Sequence, residues 1–184
     1  MPEPVVVVPY DPDWPRQFER ERVALAAVFA GCDAAIEHIG STAVPGLGAK
    51  PVIDVLVGLS RLAEAESRIA ALEATGYEYV RQYETRLPQR RYFRKPRLAP
   101  RTFHLRCVVK GSEDWVRHLA FRDHLRAHPE SAAAYYELKR ALAARLGKDD
   151  YTEAKSPFID AIVSSALGEC GQQTAHQRVA SDGG

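Results

Sequence analysis

Residues 38–58 read HIGSTAVPGLGAKPVIDVLVG, and their reading decides the fold. The stretch opens on a strand-like run and stops at Gly40-Ser41. Two prolines and two further glycines then hold the chain in a loop. It closes on residues 51–57, a nearly continuous apolar run of the kind found in a central strand, interrupted by one carboxylate, Asp54. An ionised Asp in such a run is costly unless a strong partner faces it. Either Asp54 serves a site, or it is a structural acid paired with Lys50. Glycine lets a backbone approach a phosphate closely, and N–H groups with a hydroxyl supply donors. Gly40, Ser41 and Thr42 are therefore read as a phosphate-contacting turn. The alternative is that Ser41 and Thr42 only cap a following helix. Lys50 is either a phosphate contact or a solvated loop cation.

Upstream, residues 5–8 are a β-branched run that predicts a strand, and Asp13 is a candidate N-cap. Phe18, Leu25, Val28 and Phe29 share one face of a helix over residues 15–30, and residues 34–39 alternate as a strand. Downstream, Ser60 is expected to cap a helix carrying Leu62, Ile69 and Leu72. Strands are expected over 77–83, 91–94 and 102–109. Ser112, followed by Glu113 and Asp114, starts a helix that runs to His128. Pro129 opens another, with Tyr135, Leu138, Leu142 and Leu146 as its buried stripe. A last helix holds Phe158, Ile159, Ile162, Val163 and Leu167, starting at either Thr152 or Ser156. Strands and helices mix first and helices follow. The class is α+β: a small mixed β-sheet packed with helices and extended by a helical C-terminal part. One domain spans residues 1–168, and the polar stretch 169–184 is expected to be a disordered tail.

The chain has 184 residues and a formal net charge of +1, which argues against a general polyanion binder. Its three cysteines, Cys32, Cys107 and Cys170, lack metal or redox spacing, which points to a reducing compartment. The first residues do not read as a signal peptide, and no run approaches the ~20 apolar residues of a membrane span. A soluble cytoplasmic protein without a membrane partner is expected. Residues 81–106 hold nine Lys or Arg against one acid, Glu84, with Tyr83, Tyr92 and Phe93 interleaved. This is a nucleic-acid stripe, a solvated loop, or a segment that places one or two cations, Arg91 first, at a polyphosphate. The third reading fits best, and nucleic acid is not the expected partner. His38 and His104 sit in strand-like sequence, as core residues or as parts of a pocket. His118 and Arg122 are four apart and share a helix face, on the surface or at the pocket. Lys155 has the same two readings.

The segments His38-Ile-Gly-Ser-Thr-Ala-Val-Pro-Gly-Leu47, Lys50-Pro-Val-Ile-Asp54, Phe103-His-Leu105, His118-Leu-Ala-Phe-Arg-Asp123, and Tyr151-Thr152 with Lys155 together resemble the GrpB family. The resemblance covers about residues 5–168. It implies a nucleotidyltransferase-like fold of the DNA polymerase β type. There a Gly-Ser turn at a helix start holds a triphosphate, and strand carboxylates hold magnesium. It implies a nucleotide or phosphorylated small molecule as ligand. It further implies a transferase that moves a nucleotidyl group to a small acceptor, with Asp54 as catalytic metal ligand. Related domains fused to dephospho-coenzyme A kinase imply an alternative, a non-catalytic binding or regulatory module serving coenzyme A metabolism.

One position departs from the superfamily pattern. The second carboxylate, two residues after the first, is Leu56 here. A divalent metal must then recruit ligands from other strands. His104 is the best candidate, because it faces opposite to Phe103 and Leu105, and His38 approaches from the other side. The set Asp54, His104 and His38 suits manganese or zinc better than magnesium. The competing arrangement is an ion pair between His104 and Asp54. The same three residues also suggest a metal-dependent hydrolase as a third class.

Overall fold

The run around Asp54 forms β2 (Ile53–Leu59), an internal strand of a five-stranded mixed sheet. The computed structural model describes residues 5–98 and 100–181, with the side chains of 148, 149 and 169–181 outside the description. β1 (Ala35–Ile39) pairs antiparallel with β2, and β5 (Phe103–Val109) pairs parallel with it on the other side. β4 (Arg90–Lys95) lies antiparallel beyond β5, and β3 (Glu78–Tyr79) forms the far edge. A parallel pair needs a crossover. Residues 60–102 supply it through two short helices, α2 (Ala63–Glu66) and α3 (Ile69–Ala74), and through the β3–β4 pair.

α1 (Trp14–Val28), α2 and α3 cover one face of this sheet. Trp14, Leu25 and Phe29 pack there on Ile53, Val55, Val57, Leu105 and Cys107. α4 (Glu113–Ala127) covers part of the other face, where Trp115 and Leu119 meet Ile39, Leu56 and Val108. Gly58 makes this close approach possible, since a Cβ there would lie 2.5 Å from the Trp115 ring. With α4, the helices α5 (Pro129–Ala143) and α7 (Ser156–Ser181) build a second core around Phe121, Leu125, Tyr135, Ile162 and Val163, and the short α6 (Lys148–Ala154) connects α5 to α7.

Several local expectations change. Of residues 5–8, only Val8 makes a β-bridge, to Ala49. The strand expected over 77–83 is confined to Glu78–Tyr79, and Arg81–Thr85 form a 3-10 turn. Asp13 has helical backbone angles and so is not in N-cap geometry; its carboxylate accepts from Gln17 instead, at 3.0 Å. Ser60 does not cap, because helix starts only at Ala63; Glu64 reaches back to the Ser60 N–H at 3.1 Å. Ser112 does cap α4, accepting from the Trp115 N–H at 3.4 Å. The last helix starts at Ser156, and its backbone is helical through Ser181, across the stretch read as a tail. Among the described residues no helix is long and apolar enough to cross a membrane.

Candidate functional site

Side chains directly opposite in a sheet share a face, and neighbours along a strand alternate. The register therefore sorts the site. One cross-strand row on the α4 face runs Ile39, Asp54, His104, Arg94, and the next runs Glu37, Leu56, Arg106, Tyr92. Asp54 and His104 thus converge, with His104 Nδ1 3.4 Å from Asp54 Oδ1. The closer partner is Arg106, whose Nη1 donates to the same oxygen at 2.7 Å. Burial opposes ionisation of Asp54, but the Arg106 charge and the His104 hydrogen bond hold its carboxyl well below the usual range. Arg106 is the strong partner that the lone acid required.

Gly40 faces the other carboxylate oxygen. Its φ is +71°, and a Cβ there would lie 2.7 Å from Asp54 Oδ2. Both facts demand glycine. No long helix follows, only the 3-10 turn Ser41–Ala43, because Pro45-Gly46 come at once. Neither Ser41 nor Thr42 caps it. The Thr42 hydroxyl meets His38 Nε2 at 3.0 Å and the Val52 carbonyl at 3.5 Å. Ser41 lies against the Tyr135 hydroxyl.

His38 is not beside Asp54. It pairs with Val55, one residue further along β2, so its side chain takes the opposite face. It stacks on Phe18 of α1 at 4.6 Å between ring centroids, and burial pushes its pKa down to about 4. The expected set Asp54, His104 and His38 is therefore not assembled, and the hydrolase reading built on it loses its basis. Among the described residues no group of three His, Cys, Asp or Glu is placed to hold a metal ion. Leu56 is fully buried in the cluster under α4, which is why an apolar residue occupies that position.

A cavity of about 700 Å³ opens over Asp54, in the size range of small-molecule sites. Five arginines line it, Arg86, Arg90, Arg94, Arg101 and Arg106. Three lysines, Lys50, Lys139 and Lys155, line it too, with Ser41 and Thr42. Asp54 and Glu153 are the acids lining it. Tyr151 is 1% exposed, and both the Lys50 and Lys155 ammonium groups lie over its ring, at 4.4 and 4.2 Å from the centroid. Burial, with the charge of Lys50, lowers Lys155 to about 8. Lys139 is 2% exposed; it donates to the Gly48 carbonyl and lies 4.8 Å over Tyr135. Burial, with the charge of Lys155, lowers it to about 7.

Besides His38 and Gly40, three further expected residues are absent from the cavity lining. Arg91 alternates with Arg90 and so points to the other face, where it pairs with Glu66 at 2.6 Å and Glu84 at 3.6 Å. Arg122 ties α4 to β1, donating to Glu37 at 2.7 Å and to the His38 carbonyl at 3.1 Å. His118 is on α4, where burial and the charges of Arg106 and Arg90 push it down to about 3. Sequence reasoning missed Arg106, Arg90, Arg94 and Lys139. The signal for the arginines was alternation: Arg106 is two residues after His104, and Arg90, Tyr92 and Arg94 share one side of β4. Lys139 is four residues after Tyr135, on the stripe of α5 that is buried.

A family model described as GrpB protein matches residues 4–165. A UPF0157 protein of Pseudomonas aeruginosa is 39% identical over 180 residues, covering 96% of this chain and 72% of that protein. A crystal structure of the conserved protein GrpB from Enterococcus faecalis superposes with a TM-score of 0.80 at 39% identity, over 89% of this chain and 98% of that one. A dephospho-CoA kinase of Mycolicibacterium paratuberculosis is 31% identical over 182 residues, covering 85% of this chain but 44% of the kinase.

Proposed function

The chain belongs to the GrpB family, and within that family we propose that it is a binding domain for a nucleotide or another phosphorylated small molecule. The observation that carries the reading is the charge balance of the cavity. Five arginines and three lysines line it against two acids; Arg106 pairs with Asp54, and of the other arginines Arg94 and Arg101 pair with Glu78 and Arg90 with Asp114, acids outside the lining, so cations still outnumber acids. Multiple charge-assisted hydrogen bonds from such a lining suit phosphate oxygens. Tyr92 and Tyr83, in edge contact at 5.1 Å in the same lining, offer aromatic surface for a base or another flat group. The likeness to part of a dephospho-CoA kinase supports a supporting role in coenzyme A metabolism. The test is calorimetric titration with AMP, pyrophosphate and dephospho-coenzyme A. Saturable binding of at least one is expected, and no binding of any phosphate compound would refute the reading.

A second reading is nucleotidyl transfer to a small acceptor on a nucleotidyltransferase-like fold. It is favoured by one observation, the contact of Asp54 on a central strand with the Gly40-Ser41 turn. Release of pyrophosphate from labelled nucleotides, with magnesium or manganese present, separates transfer from binding alone.

A further inference from the structure

Resting on the anion-binding reading, we infer that the Arg106 guanidinium occupies the cation position beside Asp54. The ligand is then taken as a metal-free phosphate monoester or polyphosphate, and side-chain cations alone offset its charge. Three features of the site carry this.

The first is occupancy of the carboxylate. Asp54 Oδ1 already accepts from Arg106 at 2.7 Å and lies 3.4 Å from His104 Nδ1. Oδ2 lies toward the Gly40 backbone, where an added Cβ would come within 2.7 Å of it. A magnesium or manganese ion needs several oxygen ligands in open geometry, and here one oxygen of this single carboxylate is already held by a guanidinium.

The second is that Asp54 and His104 gain no third ligand: among the described residues no group of three His, Cys, Asp or Glu is placed to hold a metal ion. Leu56 stands two residues along β2 and is fully buried in an apolar cluster, and His38 is on the far side of the sheet.

The third is that Arg106 is held in place. Its side chain is 20% exposed, and the guanidinium lies between Asp54 and the Tyr92 ring, 5.8 Å from the ring centroid. Displacing it by a metal would strand a largely buried charge. In the same cavity, Lys50, Lys139 and Lys155 supply the further positive charge that a phosphate needs.

The test is titration of inorganic pyrophosphate into the full chain by calorimetry, once with excess EDTA and once with magnesium chloride. Affinity in EDTA is expected to equal or exceed that in magnesium. Manganese alone, followed by its electron spin resonance signal, is expected to show no protein-bound fraction. Asp54→Asn adds a sharper arm. It removes the acid that engages Arg106, so pyrophosphate affinity is expected to rise by roughly tenfold, as for a nearby negative charge removed at partly screened distance. A metal site would give the reverse: binding only with magnesium or manganese, and its loss in Asp54→Asn. That result overturns the inference and leaves the anion-binding reading standing. No binding under any condition overturns both. If Asp54→Asn fails to fold, the comparison of EDTA with magnesium on the unaltered chain decides alone.

Discussion

The two faces of the sheet balance charge to different extents. On the α1 face, buried or half-buried cations meet carboxylates. Lys95 donates to both oxygens of Glu21, at 3.0 and 3.1 Å, and Arg91 bridges Glu66 and Glu84. On the α4 face Arg90, Arg94, Arg101 and Arg106 also meet carboxylates, but cations outnumber acids around an open cavity, and Lys139 is buried with a carbonyl and a ring as its described partners. A closed face settles its charges within the chain. The surplus of positive charge on the other face is what the anion-binding proposal rests on.

The largest expected effect tests the closed face. Glu21 is 7% exposed, so Glu21→Ala leaves Lys95 without its acid and should cost roughly 3 kcal/mol in urea unfolding, as when one partner of a buried pair is lost. Pyrophosphate affinity should not change. A matching loss of affinity would mean that the two faces are not independent. Next comes the open face. Lys155→Met keeps the apolar stem and removes the charge, and should weaken pyrophosphate binding by about 1.5–3 kcal/mol. Arg91→Ala, on the closed face, should leave that affinity unchanged; an equal loss there would erase the contrast.

A smaller effect is the pH dependence of anion binding, best read with inorganic sulfate because its charge is constant near neutrality. Lys139 and Lys155 titrate at about 7 and about 8 in the cavity. An anion needs both protonated, so sulfate affinity should fall severalfold between about pH 6 and about pH 9. The arginines stay charged and Asp54 stays ionised over this range, so neither masks the trend. A flat profile would show that the two lysines do not face the anion. The smallest expected effect is a gain. Lys139→Met removes a buried ammonium, and should raise stability by about 1 kcal/mol while weakening pyrophosphate binding. Thermal melts with and without pyrophosphate check both halves.

The central strand, its Asp54 and the Gly40-Ser41 turn were legible in the sequence, because a lone acid in an apolar run and a Gly-Ser stop are local signals. That His104 faces opposite to Phe103 and Leu105 was also legible from alternation, but that its strand lies beside β2 with His104 opposite Asp54 was not. What was not legible depended on which residues oppose each other. His38 and Arg91 were each one residue out of phase with the site, and a period of two sends such residues to the other face. Arg106 was overlooked within a crowd of cations, although it has the same parity as His104. Lys139 was hidden in the stripe of a helix otherwise read as apolar. The expected phosphate-binding helix start shrank to a 3-10 turn because Pro45 and Gly46 end it.

The sheet order also governs how the chain can be assembled. β5 is the last strand made, yet it lies in the middle of the sheet, between β2 and β4. A nascent chain that has not reached Phe103 holds two separate pairs, β1–β2 and β3–β4, each with an edge that waits for the same missing strand. Such edges are open to pairing with other chains. Insertion of β5 closes both at once, joining strands far apart in sequence, and such long-range closure slows folding. The same event delivers Arg106 to Asp54, so the pocket floor and the sheet are completed in a single late step.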